Sequence, residues 1–184
     1  MEPTGEFPAP VLIDELLDQL ALGHRAFPAL QLDSVRLTGA MLKHLDLRGA
    51  TLTNVDLRGA DLTASNLAKA TLWRVDLRGA YMHGLLLDGA KLEHVELSGA
   101  NLHAASFEGA SLPSIHLRAT HLCGANLRRT HLRGAVLQGA NLTHADLRGA
   151  DLTGANLSQS ILTGAKFDRA VLTRAEFDGA IDRP

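Results

Sequence analysis

Val55-Asp56-Leu57-Arg58-Gly59-Ala60 returns twenty residues later as Val75-Asp76-Leu77-Arg78-Gly79-Ala80. Outward from this pair the same pattern continues at a shorter interval. From Leu32 to Phe177 every fifth position is large and apolar. Of these 30 positions 26 are Leu, and Met82, Phe107, Phe167 and Phe177 are the exceptions, so one phase runs without a break. Two residues before each stands a second apolar candidate, Ala in 18 of 30 cases. Two residues after it 15 of the chain's 17 glycines fall, so the unit reads A-x-L-x-G.

A period of five fits neither a straight α-helix nor a continuous strand. Within one unit, though, the two apolar positions lie two apart, so a short extended segment points both inward. The remaining residues then turn a corner, which Gly permits. Repeated turning in one sense gives a coil, and successive coils stack as parallel strands about 4.8 Å apart. The number of sides follows from a slower echo. The inner site is Val at 35, 55, 75 and 95 and Ile at 115, while flanking phases mostly carry Ala. Twenty residues at five per side make four sides. Thirty units then form between seven and eight coils, a rod of about 35 Å. Bulky residues at the inner site, concentrated in the first half, are expected to swell some corners without breaking the coil.

These residues resemble the pentapeptide-repeat family, whose pattern is A-(D/N)-L-x-x. Asn101-Leu102, Asp146-Leu147, Asp151-Leu152 and Asn156-Leu157, each preceded by Ala, fit it to the letter. The resemblance implies an all-β solenoid, a right-handed quadrilateral parallel β-helix, across residues 24–184. The segment Glu15-Leu16-Leu17, with Gly23, Arg25 and Phe27 after it, also resembles the leader before many bacterial, especially cyanobacterial, members of the family.

A stacked solenoid has two ends to cover. Residues 11–23 read as a short α-helical cap: Leu12, Ile13, Leu16, Leu17 and Leu20 make a stripe at helical spacing. Pro10 precedes it, Asp14 and Glu15 occupy its first turn, and Gly23 follows its last. Residues 1–10 are expected to be an extended or disordered tail. At the other end Phe167, Phe177 and Ile181 are left on an open coil. Because several family members pair tail to tail there, the resemblance implies a homodimer of about 70 Å, two rods at the strand spacing.

Catalysis is not expected. Acyl-transfer chemistry needs a nucleophile, base and orienter converging in a cleft, and a rod filled with leucine is convex. The glycines follow the repeat rather than a phosphate-loop spacing. No cofactor is expected. For a metal, the weak candidates are His83, His103 and Cys123, which stack on consecutive rungs of the third face, with His121 nearby. A mildly polar solvent face is the simpler reading of that column. The single cysteine gives no disulfide framework. No apolar run is long enough to span a bilayer, and MEPTGEFPAP lacks the basic and apolar regions of a secretory signal, so a cytoplasmic protein is expected.

Charge decides between two functional readings. Asp56, Asp76 and Glu96 make an acidic column, and Arg58 and Arg78 stand beside it, so cross-strand ion pairs are expected to cancel it. Arg128, Arg129, Arg133 and Arg148 cluster at the corner joining the fourth and first faces, with Arg169 two coils beyond Arg129. That patch is a candidate surface for a protein partner. The family's best-known role is mimicry of duplex DNA, by which such rods bind DNA gyrase and related topoisomerases and protect them from drugs or toxins. A DNA mimic presents phosphate-like negative charge along its length. Here residues 1–23 hold five acids and no base, so of 20 acids and 18 bases the remainder keeps 15 acids and 18 bases, about +3. The favoured reading is therefore a non-enzymatic interaction protein presenting side-chain ladders to an unidentified protein, binding neither nucleic acid nor membrane directly. The gyrase-binding mimic is the alternative.

Overall fold

In the computed structural model, which describes residues 13–184, the chain is a right-handed four-sided β-helix with a short helix at its N-terminal end. On the first face β1 (Gln31–Asp33), β2 (Thr51–Thr53), β3 (Thr71–Trp73) and β4 (Lys91–Glu93) form a parallel sheet in sequence order. Their register is twenty residues: Leu32 faces Leu52, Leu52 faces Leu72, and Leu72 faces Leu92. The other faces keep that spacing through single parallel bridges, from Arg36↔Asp56 and Met41↔Asp61 up to Ile161↔Ile181. Each side repeats one hydrogen-bond pattern. Leu57 N–H donates to Asp76 C=O at 2.8 Å, and Asp76 N–H returns to Val55 C=O at 3.0 Å. Most of the backbone is thereby satisfied between coils, and side chains fill the interior.

Through the body of the rod both inward positions are buried, and from Leu42 to Leu157 every inward apolar residue is 4% exposed or less. The corners follow a gradation that the inner residue sets. Where it is Ala, its N–H closes the corner onto the preceding central residue, as Ala60 does to Leu57 at 3.0 Å and Ala140 to Leu137 at 3.0 Å. The third corner residue takes positive φ, +64° at Gly59, a region that costs an ordinary side chain about 1–2 kcal/mol. Where the inner residue is Thr the closing bond stretches to 3.4 Å, at Thr120 and Thr130, and the hydroxyl donates to the same carbonyl at 2.7 Å. At Val35, Val55, Val75, Val95 and Ile115 it is missing. Leu30 and Leu85 keep it, at 3.2 and 3.1 Å. Branching at Cβ, next to the backbone, is what opens a corner, not side-chain size. Leu45 is closed differently: its N–H donates to the Ser65 hydroxyl at 2.9 Å, which donates on to Leu42 C=O at 2.8 Å.

Helix α1 runs Ile13–Ala21 among the described residues and ends two residues before the C-terminal bound expected from the sequence; the expected start at residue 11 lies outside them. Leu16, 2% exposed, plugs the end of the leucine stack, and Leu20 packs beside it. Leu17 does not join them; it is 45% exposed. At 100° per residue Leu16 and Leu20 share one line of the helix while Leu17 is rotated off it, so the covering stripe is narrower than the sequence suggested. Leu12 and the tail over residues 1–10 lie outside the described residues, as does the side chain of Ile13. Gly23, at φ +88°, ends the helix. His24 N–H reaches back to Gln19 C=O and Gly23 N–H to Leu20 C=O, both at 3.0 Å, the paired bonds of a Schellman cap. The Arg25 guanidinium covers Leu20 C=O at 3.0 Å. At the other end burial relaxes: Phe167, Leu172 and Phe177 are only partly covered, and Ile181 is 53% exposed.

The corner rule is testable at Ala140. Replacement by Val should open that corner, lower stability by about 1–3 kcal/mol through overpacking, and speed amide exchange at residue 140. Replacement by Leu should leave the amide protected. Denaturant titration and hydrogen exchange read both, and equal protection in the two variants would refute the rule.

Candidate interaction surfaces

The outward residue before each central leucine has a backbone task. Where it is Asp or Asn, its side-chain oxygen accepts the N–H two residues on: Asn66 from Ala68 at 2.9 Å, Asp61 from Thr63 at 3.1 Å, Asn156 from Ser158 at 2.9 Å. These Asx turns fix the start of the corner. In the four Asp-Leu-Arg-Gly segments the same Asp also holds an Arg. Arg48 Nε and Nη2 donate to Asp46 Oδ1 and Oδ2 at 2.8 and 2.6 Å, and Arg58 grips Asp56 at 2.9 and 2.7 Å. Arg78 with Asp76 and Arg148 with Asp146 repeat the fork.

Cancellation of the acidic column therefore runs mainly within a rung rather than across rungs. The Asx turn has already aimed the carboxylate at the guanidinium two residues away; the cross-rung approaches, Arg36 to Asp56 at 3.9 Å and Arg58 to Asp76 at 3.7 Å, are longer. The arginine hydrogen bonds hold Asp56 well below the usual carboxylate range and lower Asp46 and Asp146 in the same way.

On the third face His83 and His103 stack as expected, ring centroids 5.1 Å apart and planes 9° from parallel. Parallel rings present faces to one another and do not converge their nitrogens on a point. No group of three His, Cys, Asp or Glu able to hold a metal occurs among the described residues, so the structure does not gather His83, His103, Cys123 and His121 into a metal site. Beside that stack the rod exposes Tyr81 (56%) and, around the next corner, Leu86 (39%). The five-residue phase places both on outward positions, a placement legible from the sequence.

The basic corner is a concave surface. Arg128, Arg129 and Arg148 line a cleft of about 390 Å³ together with Gly149, Asp168 and Arg169. Arg133, expected in the same patch, turns away to Asp151 at 3.5 Å, one coil up and diagonal. Two further surface hollows occur, one at Glu93, His94, Pro113 and His116, the other over the Arg58–Arg78 ladder. In the first, His116 Nδ1 lies 2.6 Å from Glu96 Oε1.

A sequence profile of pentapeptide repeats matches eight copies across residues 31–67, 56–93, 83–118, 115–154 and 150–181. The chain belongs to the pentapeptide-repeat family. Proteins of this family are generally structural or interaction proteins. Among solved structures, HetL, a pentapeptide-repeat protein involved in heterocyst differentiation regulation from the cyanobacterium Nostoc sp. strain PCC 7120, is 29% identical; the match covers 92% of this chain and 96% of HetL, with a TM-score of 0.28. Rfr23 from the cyanobacterium Cyanothece 51142 is 23% identical over 92% of this chain and 99% of its own, TM-score 0.33. Full-length QnrB1, a plasmid-mediated fluoroquinolone resistance protein, is 18% identical over 84% and 92%, TM-score 0.33. No curated protein matches the chain. No helix among the described residues is long and apolar enough to cross a membrane.

The depressed Asp pKa values fix a sign for acid sensitivity. A carboxylate held below its unfolded value of about 3.9 stabilises the fold above that pH and loses the contribution as pH falls toward its folded value. The denaturation midpoint should therefore be steady above about pH 5 and drop below pH 4. In the quadruple variant Asp46→Asn, Asp56→Asn, Asp76→Asn, Asp146→Asn, which keeps the Asx oxygen, that acid drop should shrink. An unchanged pH profile would refute a role for the forks.

Proposed function

We propose that this protein is a non-enzymatic interaction module of the cytoplasm, a rigid rod whose outward side chains are read by a protein partner. The observation carrying the proposal is the exposed Tyr81–Leu86 patch beside the stacked His83 and His103, on a rod whose interior is closed by leucine. Tyrosine is the kind of anchor that dominates protein interfaces, and a rigid backbone loses little freedom on binding. The Asp-Leu-Arg-Gly forks favour this reading over DNA mimicry. Each of those carboxylates already faces a guanidinium of its own rung, and this weakens any phosphate-like negative row.

The partly covered Phe167 and Phe177 and the exposed Ile181 support a homodimer through the last coil. In such a pair the apolar floor of each rod covers the other, removing an edge open to aggregation.

Three measurements test these readings. Purified protein in large molar excess should leave DNA supercoiling by gyrase unaltered; inhibition, or protection of gyrase from a fluoroquinolone, would replace the interaction reading with the mimic. Affinity capture from the native host should recover a protein that Tyr81→Ser with Leu86→Ser no longer retains; partners indifferent to both changes would remove that patch from the proposal. Sedimentation equilibrium should give a dimer that Phe177→Lys converts to monomer, and a wild-type monomer would sink the pairing.

A further inference from the structure

The basic cleft carries chemistry that a protein-reading surface does not need. Its shape comes from one column of the rod. Arg129, Gly149 and Arg169 follow one another at the same corner on successive coils, so the residue between two long side chains is the one without any. A Cβ added at Gly149 would sit 3.6 Å from Arg129 Cγ, closing part of that gap. The neighbouring column runs Asp88, Glu108, Arg128, Arg148, Asp168, so acids bracket the positive stretch on both sides. Positive surface in that column is thus confined to two coils, about 10 Å with the flanking gaps.

Inside the cleft the donors are unevenly used. Arg148 commits Nε and Nη2 to Asp146. Arg128 has its Nε–H buried with no hydrogen-bond partner, the one such side-chain nitrogen or oxygen among the described residues. A buried donor left unpaired is costly, and this one belongs to an arginine that lines the cleft. Four guanidiniums, Arg128, Arg129, Arg148 and Arg169, stand against two carboxylates, Asp146 and Asp168; four minus two leaves a local charge of +2.

We propose that this cleft binds a phosphate dianion carried by a small molecule. A phosphate monoester holds between one and a half and two negative charges near neutral pH and offers three acceptor oxygens, which matches the surplus charge and the forked donors. The volume, about 390 Å³, lies within the range of small-ligand pockets. A nucleic-acid backbone fits less well, because the acids at 108 and 168 interrupt any longer basic track. This site is independent of the Tyr81–Leu86 surface, so either can fail alone.

Titration of the whole chain with inorganic phosphate, phenyl phosphate and dimethyl phosphate tests the assignment, read by calorimetry and by NMR of arginine Nε–H groups. Inorganic phosphate and the monoester should bind and displace the Arg128 Nε–H resonance, and the singly charged diester should bind at least tenfold more weakly. Tighter binding of the monoester than of inorganic phosphate would mark an esterified ligand as the natural source; the reverse order would mark free phosphate. Arg128→Met should weaken phosphate at least tenfold. Arg169→Met, on an exposed residue of the last coil, should do the same without touching the buried group, while Arg36→Met leaves binding unchanged. Absence of phosphate binding, equal loss in Arg36→Met, or tighter binding of a short DNA duplex lost in the same two variants would overturn the proposal.

Discussion

Every coil of this rod is tied to the next by backbone hydrogen bonds between residues about twenty apart, and those bonds exist only while five residues make one side. A single inserted residue would rotate all later side chains, carrying leucine outward and Asp or Arg into an apolar interior. The burial of inward residues between Leu42 and Leu157 and the parallel bridges on all four faces rest on that count. The helix Ile13–Ala21 serves the same stack: among the described residues no coil lies beneath the first rung, and Leu16 closes its end.

Within the constraint, chemistry at two positions shapes each corner. The residue before the central leucine spends its side-chain oxygen on a backbone N–H, which is why Asp and Asn recur there. The inner residue controls closure through the substituents on its Cβ: Ala allows a tight bond, Thr stretches it, Val and Ile remove it. The face with the open Val corners is also the face where β1 to β4 form a continuous sheet.

Almost all of the architecture was legible in the sequence, because one solution repeats thirty times and the valine echo reveals the number of sides. The ends and the surface were less legible. Leu17 looked like part of the capping stripe, but the end of the rod is narrow and takes only Leu16 and Leu20. Arg133 seemed to belong with Arg128 and Arg129, yet Asp151, eighteen residues away and diagonal across coils, holds it elsewhere. The position of Arg169 could be read from the twenty-residue spacing, but the orphaned Nε of Arg128 depends on side-chain packing that no periodicity encodes. The fork between Asp and Arg two residues apart was also hidden, since in a plain strand those side chains would merely share a face.

That fork has an evolutionary consequence. Because Asp56 finds its counter-charge at Arg58 in its own coil, a twenty-residue segment such as 56–75 carries both members of that fork. Duplicating or deleting such a segment lengthens or shortens the rod without splitting a fork, and every face stays aligned. Gaining a single five-residue unit instead would shift each later column by one side, moving the arginine cleft a quarter-turn around the axis. Growth by whole coils thus conserves the surface pattern, while growth by single units redraws it.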